Sequence, residues 1–256
     1  MLPQVNIIRA KHGDFLSFFE RAGISSVLTA HGMWDEITIS ISKLLIDTSN
    51  KVPVIVDIGA NMGTFAVPIA KHIAPKDGYL FAFEPQRIIF YQLCGNIFFN
   101  QIDNAYLHNI ALSSENSVGE MAILDLHQAW NIGSYSFVAG KDEQIKLQKT
   151  EPCNFRKLDD FIDLKQATLI KIDVEGMEIE VLQGAEQFIE RSSFPPILFE
   201  SLKGQSRAEM VFEFLGQLGY SFIQYAEEDW LAQHPKWDSE ISLYNNNGQI
   251  TYAKVR

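Results

Sequence analysis

Six short segments along the chain carry the continuous apolar or β-branched character of strands buried on both faces: Val54–Ile58, Tyr79–Phe83, Ala105–Asn109, Leu169–Val174, Ile197–Glu200 and Tyr220–Tyr225. Between them lie stretches whose apolar residues recur at helical spacing: Thr64–Ile73, Arg87–Phe99, Met177–Glu190 and Ser206–Leu218. Pro68 falls near the first turn of its helix, where a missing N–H costs least. Alternation of strand and helix at this length predicts parallel βαβ units and a doubly wound α/β sheet.

The flanks depart from that rhythm. Residues 14–22 read as a short helix with Asp14 as N-cap and Gly23 as stop. Trp34–Asp47 reads as a longer one, with Ile37, Ile41, Leu44 and Leu45 on one apolar stripe. The chain thus divides into an N-terminal helical extension, 1–50, and a main domain, 51–256. Within that domain, 113–157 is an irregular insertion holding one strand (Glu120–Leu124) and a Gly/Ser-rich loop (Asn131–Ser136). At the end, Asn245-Asn246-Asn247-Gly248 separates two strand-like runs, Glu240–Tyr244 and Gln249–Val255. They predict a C-terminal antiparallel hairpin, one strand of which is a candidate to join the sheet.

Composition narrows the partners. With 256 residues and 46% hydrophobic content, one sizeable core is the simplest arrangement. The formal net charge of −11, with no basic stripe, argues against nucleic-acid and anionic-lipid partners. Two cysteines, Cys94 and Cys153, give neither a disulfide framework nor a zinc spacing, and the six histidines form no H-x-x-x-H cluster. No export leader and no apolar run long enough for a membrane helix is evident, so a cytoplasmic location is expected.

Three strand ends carry candidate chemistry. The first is Asp57-Ile58-Gly59-Ala60-Asn61-Met62-Gly63, between a strand and a helix. Gly59 and Gly63 allow close backbone approach to a ligand. The glycine spacing is not that of a dinucleotide fold, and no Gly-Lys-Ser/Thr is present. The Asp57 carboxylate would repel a pyrophosphate and attract an ammonium, so a zwitterionic amino-acid ligand fits better. The second is Phe83-Glu84-Pro85, where an acid can accept from both hydroxyls of a ribose. The third is Lys171-Ile172-Asp173-Val174-Glu175-Gly176-Met177-Glu178, beside the expected switch point. Acids at a buried strand end are expensive unless paired or functional, and Lys171 is a candidate partner. Glu178 reads more simply as a complement to a helix dipole.

The stretches VDIGANMGTFAVPIA, FAFEPQ, NIALS and IKIDVEGMEIEVLQGA, with HGMWDE upstream and ILFE downstream, together resemble the FkbM family of S-adenosylmethionine-dependent methyltransferases. The resemblance implies a Rossmann-like class I methyltransferase fold: a mostly parallel, seven-stranded doubly wound sheet. It implies methylation of a hydroxyl on a small molecule or sugar. By position, Asp57, Gly59, Ala60, Asn61 and Gly63, with Thr64 and Phe65 following, would surround the methionine part of the cofactor. Glu84 and Pro85 would hold the ribose, and Asn109, Ile110 and Ala111 would line the adenine. Asp173 would sit near the sulfonium and its ammonium group.

Methyl transfer is an in-line displacement, so positioning supplies much of the rate. An alcohol acceptor also needs help losing its proton. Asp173, Glu175 and Glu200 are candidates to act as base, or to hold a divalent metal that lowers the acceptor's pKa; no metal is assigned. Asn131, Gly133 and Ser134 are candidates for the substrate-side wall, or an ordinary surface turn. Trp34 and Trp130 could cover the pocket, and His31 and His127 could reach it from loops. Three other readings remain: a cofactor-binding protein without catalysis, a nucleic-acid methyltransferase and an NAD-dependent oxidoreductase. Charge and the lack of an Asn/Asp-Pro-Pro-Tyr motif oppose the second, and glycine spacing and Asp57 oppose the third.

Overall fold

The computed structural model describes residues 4–18, 23–123, 149–161, 163–201, 206–246 and 249–255. The chain begins with a hairpin of β1 (Val5–Ala10) and β2 (Gly13–Phe18), then α1 (Ile24–His31) and α2 (Glu36–Thr48). Strand and helix then alternate through β3 (Val54–Ile58), α3 (Ala66–Ile73), β4 (Tyr79–Phe83), α4 (Arg87–Phe99) and β5 (Ala105–His108). A small side sheet follows, built from β6 (Ala111–Leu112), β7 (Ser117–Ala122) and β8 (Thr150–Arg156). The alternation resumes with β9 (Leu169–Ile172), α5 (Glu178–Gln183), α6 (Glu186–Arg191), β10 (Ile197–Glu200), α7 (Ser206–Gln217), β11 (Ser221–Gln224) and β12 (Asp229–Gln233). A last hairpin pairs β13 (Ile241–Asn246) with β14 (Gln249–Lys254).

The main sheet has seven strands in the order β11-β12-β10-β9-β3-β4-β5. All neighbours run parallel except at β12, which is antiparallel to both β10 and β11. The strand order reverses between β3 and β9, which opens a crevice at their carboxyl ends. Along β3, successive residues serve opposite layers. Ile55 packs with α2, α3 and α4, while Val56 and Ile58 pack with α5, α6 and α7. That two-sided burial is why the strand reads as an unbroken apolar run.

The N-terminal segment differs from the expected helix. Residues 14–18 lie in β2, whose outer backbone edge is satisfied by Asn96 of α4 and Asn100 just past its end. Leu16 N donates to Asn96 Oδ1 (2.6 Å), Asp14 N donates to Asn100 Oδ1 (3.2 Å), and Asn100 Nδ2 donates back to Asp14 O (2.7 Å). The segment is a strand because it pairs with β1 from Val5↔Phe18 to Ala10↔Gly13, and side chains about 80 residues away satisfy its other edge. Phe15, Leu28, Ile39 and Leu45 share one buried cluster with Ile55 and Leu80, so β2, α1 and α2 contribute to the main core.

Three further expectations are corrected. On α2, Ile37 is 40% exposed; the buried side runs through Thr38, Ile39, Ile41, Ser42, Leu45 and Ile46. The segment Met177–Glu190 is two helices with a break at Gly184-Ala185, where Gly184 passes against the Ser113 backbone: a Cβ there would lie 1.9 Å from Ser113 O. The antiparallel strand of the main sheet is β12, not a strand of the terminal hairpin, because β13 and β14 satisfy each other from Ile241↔Lys254 to Asn246↔Gln249. Among the described residues no helix is long and apolar enough to cross a membrane.

Candidate functional site

The crevice at the switch point is floored by the turn that leaves β3. Gly59 N and Ala60 N both donate to Phe83 O of β4, at 2.9 and 3.0 Å. The chain then reverses through left-handed Asn61 (φ 50°), whose Oδ1 accepts from Met62 N at 2.7 Å. Gly59 has φ +79°, and a Cβ on it would stand 1.8 Å from the carbonyl oxygen of Asp173. The turn is therefore pressed against the end of β9, and only glycine fits there.

Above this floor lies a cavity of about 240 Å³. Most of the residues singled out from sequence line it: Gly59, Ala60, Asn61, Thr64 and Phe65 after β3; Glu84 and Pro85 after β4; Ile110 and Ala111 after β5; Asp173 and Glu175 after β9; Glu200 at the end of β10. Trp34 lines it as well. Three do not. Gly63 lies outside the lining and packs near Leu93. Asn109 turns away and donates through Nδ2 to Glu84 O and Pro85 O, both at 2.9 Å. Asp57 is wholly buried beneath the floor. Asn131, Gly133 and Ser134, like His127 and Trp130, lie outside the described residues.

Glu84 is held by the loops it joins. Its carboxylate accepts from Asn61 N (3.0 Å) and Gln86 N (2.8 Å). Burial pushes its carboxyl up to about 7, although those two backbone donors favour the ionised form. Each oxygen keeps capacity for a further donor, as two vicinal hydroxyls would supply.

The opposite wall is crowded with acids. Burial raises Glu175 to about 7, helped by Asp173, Glu178 and Glu228. Glu200 is lifted well above the carboxylate range by burial, by Asp173 and by hydrogen bonding to Glu228 and Asp173. Asp229, opposite Glu200 in register, is raised to about 6 by burial and by Asp35 and Asp173. Glu178 accepts from Gly176 N (2.9 Å) outside the lining, in keeping with a helix-start role. One cation lies among these acids. Lys171 Nζ is 3.0 Å from Asp173 Oδ2 and 3.7 Å from Asp57 Oδ1. Burial alone would lower Lys171, but Asp173 and Asp57 outweigh it and hold the ammonium charged.

Asp35 is a wall residue that the sequence patterns did not single out. It caps α2 in a left-handed conformation (φ 48°, ψ 49°), accepts from Thr38 N at 3.3 Å and is raised by burial. The available signal was local: an acid before an apolar helical run is an N-cap, and a cap facing inward becomes part of a wall. Gln86, Leu112 and Met177, which lie inside the quoted stretches but carry no assigned role there, line the cavity too, as does Met121, which lies in none of them. Among the described residues no group of three or more His, Cys, Asp or Glu is placed to hold a metal ion.

A family model described as the methyltransferase FkbM domain matches residues 57–222. A tRNA(Phe) (4-demethylwyosine(37)-C(7)) aminocarboxypropyltransferase from Methanocaldococcus jannaschii is 35% identical over 102 residues, 40% of each chain. A protein named Methyltransferase 1 from Beauveria bassiana is 28% identical over 149 residues, 52% of this chain and 58% of that one. This chain therefore spans less than two thirds of either curated relative. Among solved structures, a methyltransferase FkbM from Methylobacillus flagellatus superposes with a TM-score of 0.48 at 18% identity, covering 72% of this chain and 43% of that one.

Proposed function

The chain belongs to the FkbM methyltransferase family, and from that membership we propose that it uses S-adenosylmethionine to methylate a hydroxyl oxygen of a small molecule or sugar. One observation carries the reading. Five carboxylates (Asp35, Glu84, Asp173, Glu175 and Glu200) line a single cavity, and Lys171 is its sole cationic lining residue among those described. Such a surplus favours a cationic ligand and opposes a phosphate. The donor carries a sulfonium and an ammonium, and its ribose offers the vicinal hydroxyls that Glu84 can accept. The glycine floor leaves room for an amino-acid moiety, and Asp173 stands ready for its ammonium.

Bound there, the donor supplies a methyl group on a positively charged sulfur, open to in-line displacement. The chain positions the acceptor on the far side and handles its proton. Glu175 is the best matched general base, since burial and neighbouring acids bring it to about 7. Glu200, lifted well above the carboxylate range and hydrogen-bonded to Asp173 and Glu228, is poorly matched to removing a proton. Trp34 and Asp35 bring the segment ahead of β3 into the cavity wall.

A nucleic-acid acceptor is the second reading, because one relative is named as a tRNA-modifying enzyme. The acidic wall and the net charge of −11 weigh against it. Calorimetry with S-adenosylhomocysteine tests the donor; transfer of labelled methyl to panels of sugars, hydroxylated small molecules and RNA tests the acceptor. Binding together with transfer to a hydroxyl compound is expected. Transfer to RNA alone would move the assignment to nucleic acid. Binding without transfer to any panel would favour a non-catalytic role, and no binding would end the donor reading.

A further inference from the structure

Lys171 is a charged side chain that the chemistry above does not use. It lies on β9, 7% exposed, with the ring of Phe65 5.5 Å from its ammonium. Its nitrogen stands between two carboxylates of different kinds. One is Asp173, which faces the cavity. The other is Asp57, fully buried, with no hydrogen-bond partner for either oxygen among the described residues. At 3.7 Å, Lys171 is near enough to compensate that charge but too far to make a hydrogen bond. At 3.0 Å it does hydrogen-bond Asp173, through Oδ2 alone.

An ammonium set to neutralise Asp57 alone would sit at hydrogen-bond distance from it. Lys171 instead spends its short contact on Asp173 and keeps Asp57 at a distance. A buried carboxylate without hydrogen bonds is costly, and its clearest effect here is to hold the lysine in place at the cavity wall. The register fixes this arrangement. Asp57 and Lys171 are direct partners across β3 and β9, and Asp173 follows Lys171 by two residues on the same side of the strand.

We infer that Lys171 is a positioning residue: anchored by Asp57, it fixes the Asp173 carboxylate in the cavity wall so that this carboxylate receives the ammonium of the donor's amino-acid part. The inference rests on the donor reading above. It assigns Asp57 an indirect role, through Lys171, in place of direct contact with the ligand.

The test compares two ligands on folded protein by calorimetry. S-adenosylhomocysteine carries the amino acid; methylthioadenosine has the same nucleoside and no amino acid. The double variant Lys171→Met, Asp57→Asn removes both charges together and so avoids stranding one of them. Its affinity for S-adenosylhomocysteine should fall about tenfold or more, the size of a lost charge-assisted hydrogen bond. Its affinity for methylthioadenosine should stay at the wild-type value. Lys171→Arg keeps the buried cation and serves if the double variant does not fold. Its planar fork cannot reproduce one short and one long contact, so the same ligand-selective loss is expected, by several-fold.

Equal loss for both ligands would make Lys171 a merely structural residue, and unchanged affinity for both would make it only a counter-ion for Asp57. Either result overturns the inference while leaving the donor reading intact. Failure of both ligands to bind the wild-type protein would remove the donor reading and this inference with it.

Discussion

Gly59 and Asp173 meet backbone to backbone at the switch point, so closely that a Cβ on Gly59 would lie 1.8 Å from the Asp173 carbonyl oxygen. This contact ties the turn after β3 to the end of β9 and sets the floor of the cavity. Asp173 N in turn donates to Ile58 O at 3.0 Å, so the two strand ends are locked from both sides.

Gly59→Ala should therefore be among the most damaging single changes in the site. The left-handed conformation alone costs a non-glycine residue about 1–3 kcal/mol, and the clash adds to it. Urea unfolding should show the loss, and S-adenosylhomocysteine binding should disappear in whatever folded fraction remains. Wild-type stability in this variant would mean that the floor is not fixed by this contact.

Glu175 sits in the left-handed region (φ 54°) with its carboxyl raised to about 7. As the general base it must be ionised, so transfer should climb with pH through about 7 and level off above it. Glu175→Gln should lower kcat by about 10²–10⁴-fold, the usual contribution of a positioned base, with S-adenosylhomocysteine affinity little changed. An unaltered kcat in the variant would return the base role to Asp173 or leave it to solvent.

The acid-rich wall has a consequence for stability. Asp57 and Asp229 are raised to about 6, and Glu84 and Glu175 to about 7. Over the pH range between their ordinary values and these, the folded chain binds more protons than the unfolded one. Stability therefore falls as pH rises through about 6–7 and is greater below that window. Glu200, raised further, extends the fall to higher pH. The melting temperature should rise as pH is lowered from 8 toward 5.5, opposite to a protein held by ordinary carboxylate salt bridges. Glu200→Gln should raise the melting temperature at pH 8 and flatten the profile. A profile that falls on acidification across this range would contradict the buried-acid description.

Much of this was legible where one residue type answers to one local demand. The limits of β3 and β4 follow from apolar runs closed by Gly59 and Glu84, and the helices α3 and α4 follow from periodicity. The strand-end acids stood out because a carboxylate there is costly without a purpose. What escaped depended on distant partners. Residues 14–18 are a strand because they pair with β1, while Asn96 and Asn100 supply hydrogen bonds to the other edge. The inward turn of Asp35 depends on how α2 lies on the sheet. The sequence position of Asp57 suggests a ligand contact; that Lys171, itself in the cavity wall, stands above it is set by the pairing of β3 with β9.

Asn109 shows the same distinction and gives a separate test. Its position suggests contact with an adenine, but its side-chain amide is spent on Glu84 O and Pro85 O, closing the turn that carries the Glu84 carboxylate. Asn109→Ala should cost about 1–3 kcal/mol by leaving those carbonyls without their donor. It should weaken adenosine and S-adenosylhomocysteine to the same degree, through the displaced Glu84, since both share the ribose. Free adenine, which lacks the ribose, should compete for the site equally well in the variant and the wild type. A selective loss of adenine competition with unchanged urea stability would show instead that Asn109 touches the base.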